Sequence, residues 1–396
     1  MKRIVILCDG TWNRSDSATP TNVVRFAQAV APIDPVGIVQ VPIYVQGVGT
    51  GRGPTPLLRK IDAWLGGAFG LGLMSNLVEA YRHLVFLYEP GDEIFVLGFS
   101  RGAYTARSLT GFIRSTGIID RDALHLIPEA VDRYRTLDDE TTHPNAGESH
   151  AFRAGRSKRV VTSEAEREWR AAQGLPDAPI LRIRYLGVWD SVGALGVPVS
   201  VPLLSRWTAH KYRFHDADLS SMVQSARHAI ALDERRRAFA ATEWDNVAEL
   251  NAKTGTGRDA PYRQLHFAGD HGSIGGGGDI TALSSIGLAW IIEGAAEAGL
   301  CFEARALQTI KAEQDPKGPL RNTSAAPTGL MNRLMRLHPL DRTGPSSLAD
   351  LHPSVLERWA QEDGEPYRPG SLERVHGELV AYHEAEGASG GRTRRA

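Results

Sequence analysis

A lone serine stands between two glycines in Gly98-Phe99-Ser100-Arg101-Gly102, where the apolar run "IFVLGF" gives way to the helical segment that starts at Gly102. This is the G-x-S-x-G spacing of a nucleophile elbow. In such a turn the serine hydroxyl is lifted clear of the backbone, and the positions two before and two after it crowd together, so both favour glycine. The N–H of the following residue, here Arg101, then faces the point where an oxyanion develops, and the helix N-terminus adds positive potential there. The Arg101 side chain itself reads as a solvated residue at a helix start. Five letters match by chance often; a strand before and a helix after are the context this turn requires.

A serine hydroxyl needs a base, and the base needs an orienting acid. In the chain order Ser, Asp or Glu, His, Asp190 closes the strand-like "RIRYLGVWD" and His271 follows the strand-like "RQLHFAG". Asp233, Asp270 and Asp279 are rivals for the acid, while His215, His228, His266 and His352 have no equally good placement. Asp9-Gly10-Thr11 follows the first strand-like run. Either the Gly10 and Thr11 amides supply a second oxyanion donor, or Asp9 caps backbone amides in an ordinary turn.

Other chemistries fit less well. "IVILCDGT" suggests the D-x-D-G-T nucleophile strand of haloacid-dehalogenase-like phosphatases, but Leu7 occupies the first Asp position and can neither attack phosphorus nor bind Mg²⁺. A metal-assisted phosphoester hydrolase built on Asp9, Asp190, Asp270 and His271 is a second alternative, although no compact ligand motif supports it. "SIGGGGDI" lacks both the lysine and the spacing of a phosphate-binding loop. A non-catalytic binding protein on a hydrolase fold is the third alternative. No metal and no cofactor is expected.

These residues need elements to hold them. "RIVILC" (3–8) is a fully apolar run suited to a buried central strand, and "GIVQVPIYVQGVG" (37–49) is a strand broken by Pro42, hence nearer an edge. A helix is expected with its best part at 74–88, then a strand at 94–99, then a helix carrying Ala103, Ala106, Leu109, Phe112 and Ile113 on one face. Residues 138–178 read as a polar, exposed insertion with a short helix capped by Ser163, followed by a strand in 179–190 and an apolar proline-punctuated loop at 194–204. A helix near 219–232, a strand at 263–269 and helices at 282–299 and near 353–362 complete the pattern, with a disordered tail at 386–396. Strands alternating with helices predict an α/β fold of α/β-hydrolase type: a mostly parallel central sheet with helices on both faces and a polar insertion. Residues 1–375 read as one domain, decorated over 300–375, and 376–396 as a terminal helix end and tail.

With 45 basic and 46 acidic residues among 396, the chain gives no reason to expect a nucleic-acid partner. Cys8 and Cys301 are too few and too distant for a disulfide framework or metal site. No signal-peptide core and no apolar run of about 18 residues is present, so the expected setting is cytoplasmic and soluble, with no transmembrane segment. Arg153, Arg156, Lys158 and Arg159 form either a surface for anionic lipid headgroups or an ordinary solvated loop. Arg235, Arg236 and Arg237 are read as complementing the C-terminal dipole of the helix before them.

Seven blocks then occur in order along the chain: "CDGTWN…TNVVRF", "VQGVGTG", "AYRHLVFLYEPGDEIFVLGFSRGAYTARSLTGFI", "YLGVWDSVGALG", "RHAIALDERRRAF", "FAGDHGSIGGGG" and "HPSVLERW…YRPGSL". Together they resemble the α/β-hydrolase domain family that includes the catalytic domain of type VI secretion phospholipase effectors. The resemblance implies a serine esterase or lipase acting on acyl esters, phospholipids in the characterised members, with export independent of a signal peptide. It implies Ser100 as nucleophile, Asp190 as acid and His271 as base. Ser273 departs from it, standing where the family usually has Asp, as does Gly278, where an aromatic is common; Asp270 is a candidate to compensate. The chain is also shorter than the secreted effectors, so a stand-alone intracellular esterase is an equal expectation.

Overall fold

The computed structural model describes residues 1–11, 13–47, 67–136, 140–193, 218–255, 260–324, 340–361 and 365–390. The Gly-rich patch at 49–56, the apolar loop at 194–204 and the last six residues of the tail lie outside these.

Six strands form one sheet: β1 (Arg3–Cys8), β2 (Gln40–Val45), β3 (Glu93–Phe99), β4 (Ile183–Trp189), β5 (Ala226–Ala231) and β6 (Tyr262–Phe267). They lie in the order β2-β1-β3-β4-β5-β6, and every pairing is parallel. Pro42 sits in the edge strand β2, where a missing backbone donor costs least. The chain leaves β1 toward β2 on one side, while β3 lies on its other side. This reversal opens a crevice beyond the carboxyl ends of β1 and β3, the place where such sheets bind ligands.

The unbroken apolar runs are explained by burial on both faces. Ile4, Ile6 and Cys8 with Ile94 and Val96 pack toward the helices Gly67–Leu87 and Arg101–Thr116. Val5 and Leu7 with Phe95 and Leu97 pack toward Asn22–Ala29 and Ala282–Glu297. Each such buried aliphatic side chain contributes about 1.5–3 kcal/mol. Burial also pushes the Cys8 thiol up to about 12, as suits an inert core cysteine.

Three expectations are overturned. The helix expected near 219–232 is strand β5, buried throughout and paired with β4 and β6. Its charged residue is accommodated from outside: Arg227 meets Glu293 at 2.6 Å and Glu297 at 2.7 Å. The arginines after it therefore cap no helix; Arg236 pairs with Glu234 and lies over the Phe239 ring, and Arg235 pairs with Asp341.

Second, of the segment expected as a polar, exposed insertion, the described residues 140–178 are partly buried. It carries the helices Gly147–Arg156 and Glu164–Ala172, with Ser163 capping the second. Glu166 is fully buried and accepts from Arg153 and Arg170, both at 2.6 Å, and from the Thr162 amide and hydroxyl. The three arginines of the basic cluster are paired, Arg153 with Glu166, Arg156 with Glu129, and Arg159 with Glu89 and Asp120, while Lys158 is exposed. Third, the terminal helix His376–Gly390 runs through the first residues of the segment expected to be disordered.

Candidate active site

Ser100 follows β3 and occupies the N-cap position of the helix Arg101–Thr116 with φ 58° and ψ −124°, a conformation costly for a residue with a side chain. The two glycines follow from close approach. A Cβ on Gly98 would lie 2.4 Å from the Gly102 carbonyl oxygen, and one on Gly102 would lie 2.2 Å from that of Cys8. The Ser100 amide donates to Trp189 O at 3.0 Å, tying the turn to the end of β4.

Asp190 immediately follows β4 and is the only other described non-glycine residue with positive φ, at 39°. Its amide donates to Ala229 O of β5 at 2.7 Å. His271 opens the short helix His271–Gly275 beyond β6, with Asp270 as its N-cap. Three strand ends thus converge. His271 Nε2 lies 2.8 Å from Ser100 Oγ, and its Nδ1 lies 2.6 Å from Asp190 Oδ2. All three side chains are buried, and the imidazole is held between the rings of Phe99 and Phe239, each 4.7 Å away.

Burial opposes a charge on Asp190, yet the Arg342 guanidinium and His271 together hold its carboxyl far below the usual carboxylate range. Arg342 Nη1 donates to Oδ1 at 2.6 Å and Nη2 to Oδ2 at 2.9 Å, while the Ala231 amide donates to Oδ1 at 2.9 Å. No local pattern around Arg342 marked it. The nearest signal was the general one that a buried carboxylate needs donors.

The rivals for the acid are engaged elsewhere. Asp233 accepts from the Gly269 amide and the Tyr367 hydroxyl, and Asp279 from Ser324. Asp270 accepts from both the amide and the hydroxyl of Ser273, each at 2.9 Å. The serine at the family's usual Asp position therefore acts as a donor that closes the first turn after His271.

Asp9 is buried against the elbow, with burial raising its pKa against hydrogen bonds from Tyr44 and Thr21, both at 2.8 Å. Its other oxygen accepts the Gly10 amide at 2.7 Å. Gly10 packs against Ser100, and its N–H donates to Asp9 Oδ1, the capping arrangement of this turn. The Thr11 hydroxyl is buried with no partner among the described residues. Arg101 is half-buried rather than solvated, and burial alone pulls its guanidinium down to about 10. Asp9, Asp190 and Asp270 thus serve different partners, and among the described residues no group of three or more His, Cys, Asp or Glu is gathered as a metal site.

Residues 2–294 match the family described as type VI secretion system phospholipase effector Tle1-like, catalytic domain. The chain belongs to this family. A curated relative, Uncharacterized protein YEL023C of Saccharomyces cerevisiae, is 26% identical over 245 residues, covering 60% of this chain and 32% of its own length. The chain thus spans about a third of that relative. A crystal structure of an uncharacterised protein from Pseudomonas aeruginosa aligns over 97% of this chain and 59% of its own, at 16% identity and a TM-score of 0.41. The Tle1 effector bound to the VgrG spike of the type VI secretion system aligns over 71% of this chain and 52% of its own, at 16% identity and a TM-score of 0.36. No helix among the described residues is long and apolar enough to cross a membrane.

Proposed function

We propose that this protein is a serine hydrolase that cleaves carboxylic acyl esters of lipids, with phospholipids as the substrate class that its family membership favours. The observation that carries the reading is the continuous hydrogen-bonded series Ser100–His271–Asp190 at a strained strand-to-helix turn.

In this mechanism His271 Nε2 takes the proton from Ser100 Oγ as the oxygen attacks the ester carbonyl. Asp190 holds the Nδ1 proton and so fixes the tautomer. The oxyanion is held by backbone donors at Arg101, where the helix begins, and at Thr11. His271 then protonates the leaving alcohol, and water attacks the acyl-enzyme with His271 again as base. Phe99 and Phe239 keep the imidazole plane in place.

A fluorophosphonate probe tests the nucleophile. Labelling is expected at Ser100 in the wild type and none in Ser100→Ala; equal labelling of both proteins defeats the reading. Phospholipid vesicles beside p-nitrophenyl esters of increasing chain length test the substrate class, and turnover confined to short soluble esters removes the phospholipid assignment.

A further inference from the structure

We propose that Arg342 is a positioning residue of the acyl-transfer site, holding both oxygens of Asp190 in the orientation in which that carboxylate accepts from Nδ1 of His271. The inference rests on the serine-hydrolase reading above and assigns a role to a residue outside the stretch matched to the family, residues 2–294.

The geometry is specific. Besides both Asp190 oxygens, the guanidinium reaches Ala231 O at 2.8 Å and Phe239 O, so four acceptors hold its fork in one orientation. A planar bidentate fork constrains a carboxylate in a way that a point charge does not. Its delivery is fixed as well: Asp341 pairs with Arg235 at 2.7 Å, and the Leu340 amide donates to Arg235 O at 3.0 Å. The two residues before Arg342 in the chain are therefore clamped to the same loop that presents Phe239 to His271.

The electrostatic consequence comes from a shared atom. Asp190 Oδ2 accepts from Arg342 at 2.9 Å and from His271 at 2.6 Å. A permanent cation on that oxygen takes part of the negative charge that would otherwise stabilise an imidazolium, and it repels the imidazolium directly. The other charged or titratable groups around this centre are Glu234, which accepts the His271 amide and pairs with Arg236; Glu243, 3.8 Å from His266; His228, which accepts from the Ser191 amide; and Asp270 on the cap. Glu234 and Glu243 both draw on the Arg342 charge without meeting the Asp190 carboxylate. Arg342 thus fixes the carboxylate oxygen that accepts from His271 Nδ1 and shares its charge.

Arg342→Gln removes the charge and keeps a donor, and Arg342→Lys keeps the charge and loses the fork. For the Gln variant we expect kcat on a p-nitrophenyl ester to fall about tenfold to a hundredfold with little change in KM. For Lys, which keeps the charge without the fork, kcat is expected to stay reduced. A purely structural role lowers the amount of active protein, counted by fluorophosphonate titration, and leaves kcat per labelled site unchanged. Full kcat per labelled site in either variant overturns the proposal; if the Gln variant does not fold, the Lys variant decides it. Failure of the wild type itself to label at Ser100 defeats the serine-hydrolase reading instead, and this inference with it.

Discussion

Gly98 and Gly102 meet across the serine between them, the first so close that its Cβ would lie 2.4 Å from the second's carbonyl oxygen. Gly102 in turn rests on the end of β1, within 2.2 Å of Cys8 O by the same measure. Close contact between β3, its helix and β1 places Ser100 at the top of the crevice.

Gly102→Ala is expected to lower stability by about 1–3 kcal/mol, because backbone rather than a flexible side chain must yield. Fluorophosphonate labelling per folded molecule should fall with it. A wild-type urea midpoint with full labelling contradicts this account of the turn.

Ser100 itself stores strain at φ 58° and ψ −124°. Ser100→Gly should abolish ester turnover and raise stability by about 0.5–2 kcal/mol over Ser100→Ala, which loses the hydroxyl and keeps the strain. Urea unfolding of the two variants side by side is the measurement, and a less stable Gly variant refutes the strain argument.

Asp190→Asn should cost about 10³–10⁴ in kcat, since the amide no longer fixes the tautomer of His271. It also leaves the buried Arg342 without its anion, at a cost of about 3–5 kcal/mol. The sign with pH follows from the depressed carboxyl: its stabilisation is fully present above the ordinary aspartate value of 3.8 and is lost as pH falls below it. The stability gap between wild type and variant should therefore narrow on acidification through that window and stay constant near neutrality. A gap that widens toward acid pH is the wrong sign for this account.

Glu166→Gln should destabilise the protein by about 3–5 kcal/mol, because Arg153 and Arg170 are then left as buried cations without an anion. The folded fraction should still label at Ser100. A neutral effect on thermal unfolding would return this segment to the solvated role its composition suggested.

Much of the frame was legible because burial on both faces of a parallel sheet demands unbroken apolar runs, and β1 and β3 supply them. Strand β5 was not legible: "ARHAIA" carries Arg227 and His228 in its buried interior, and a short mixed run does not distinguish strand from helix by period. Its partners Glu293 and Glu297 lie on a helix 66 and 70 residues away. The segment 138–178 misled for the same reason. Its charges look solvated one at a time, and only the pairing of Arg153 with Glu166 makes their burial affordable.

By itself the sequence determined where a serine turn must form, which strand ends carry an acid and a histidine, and to which family the blocks belong. Those properties are local, set by glycine spacing, apolar runs and chain order. Only the tertiary structure decided that Gly10 spends its amide on Asp9, that Asp270 binds Ser273, and that Arg342 holds Asp190 from 152 residues away. A hydrogen bond between distant segments leaves no periodicity in either, so it becomes visible only once the sheet has brought their ends together.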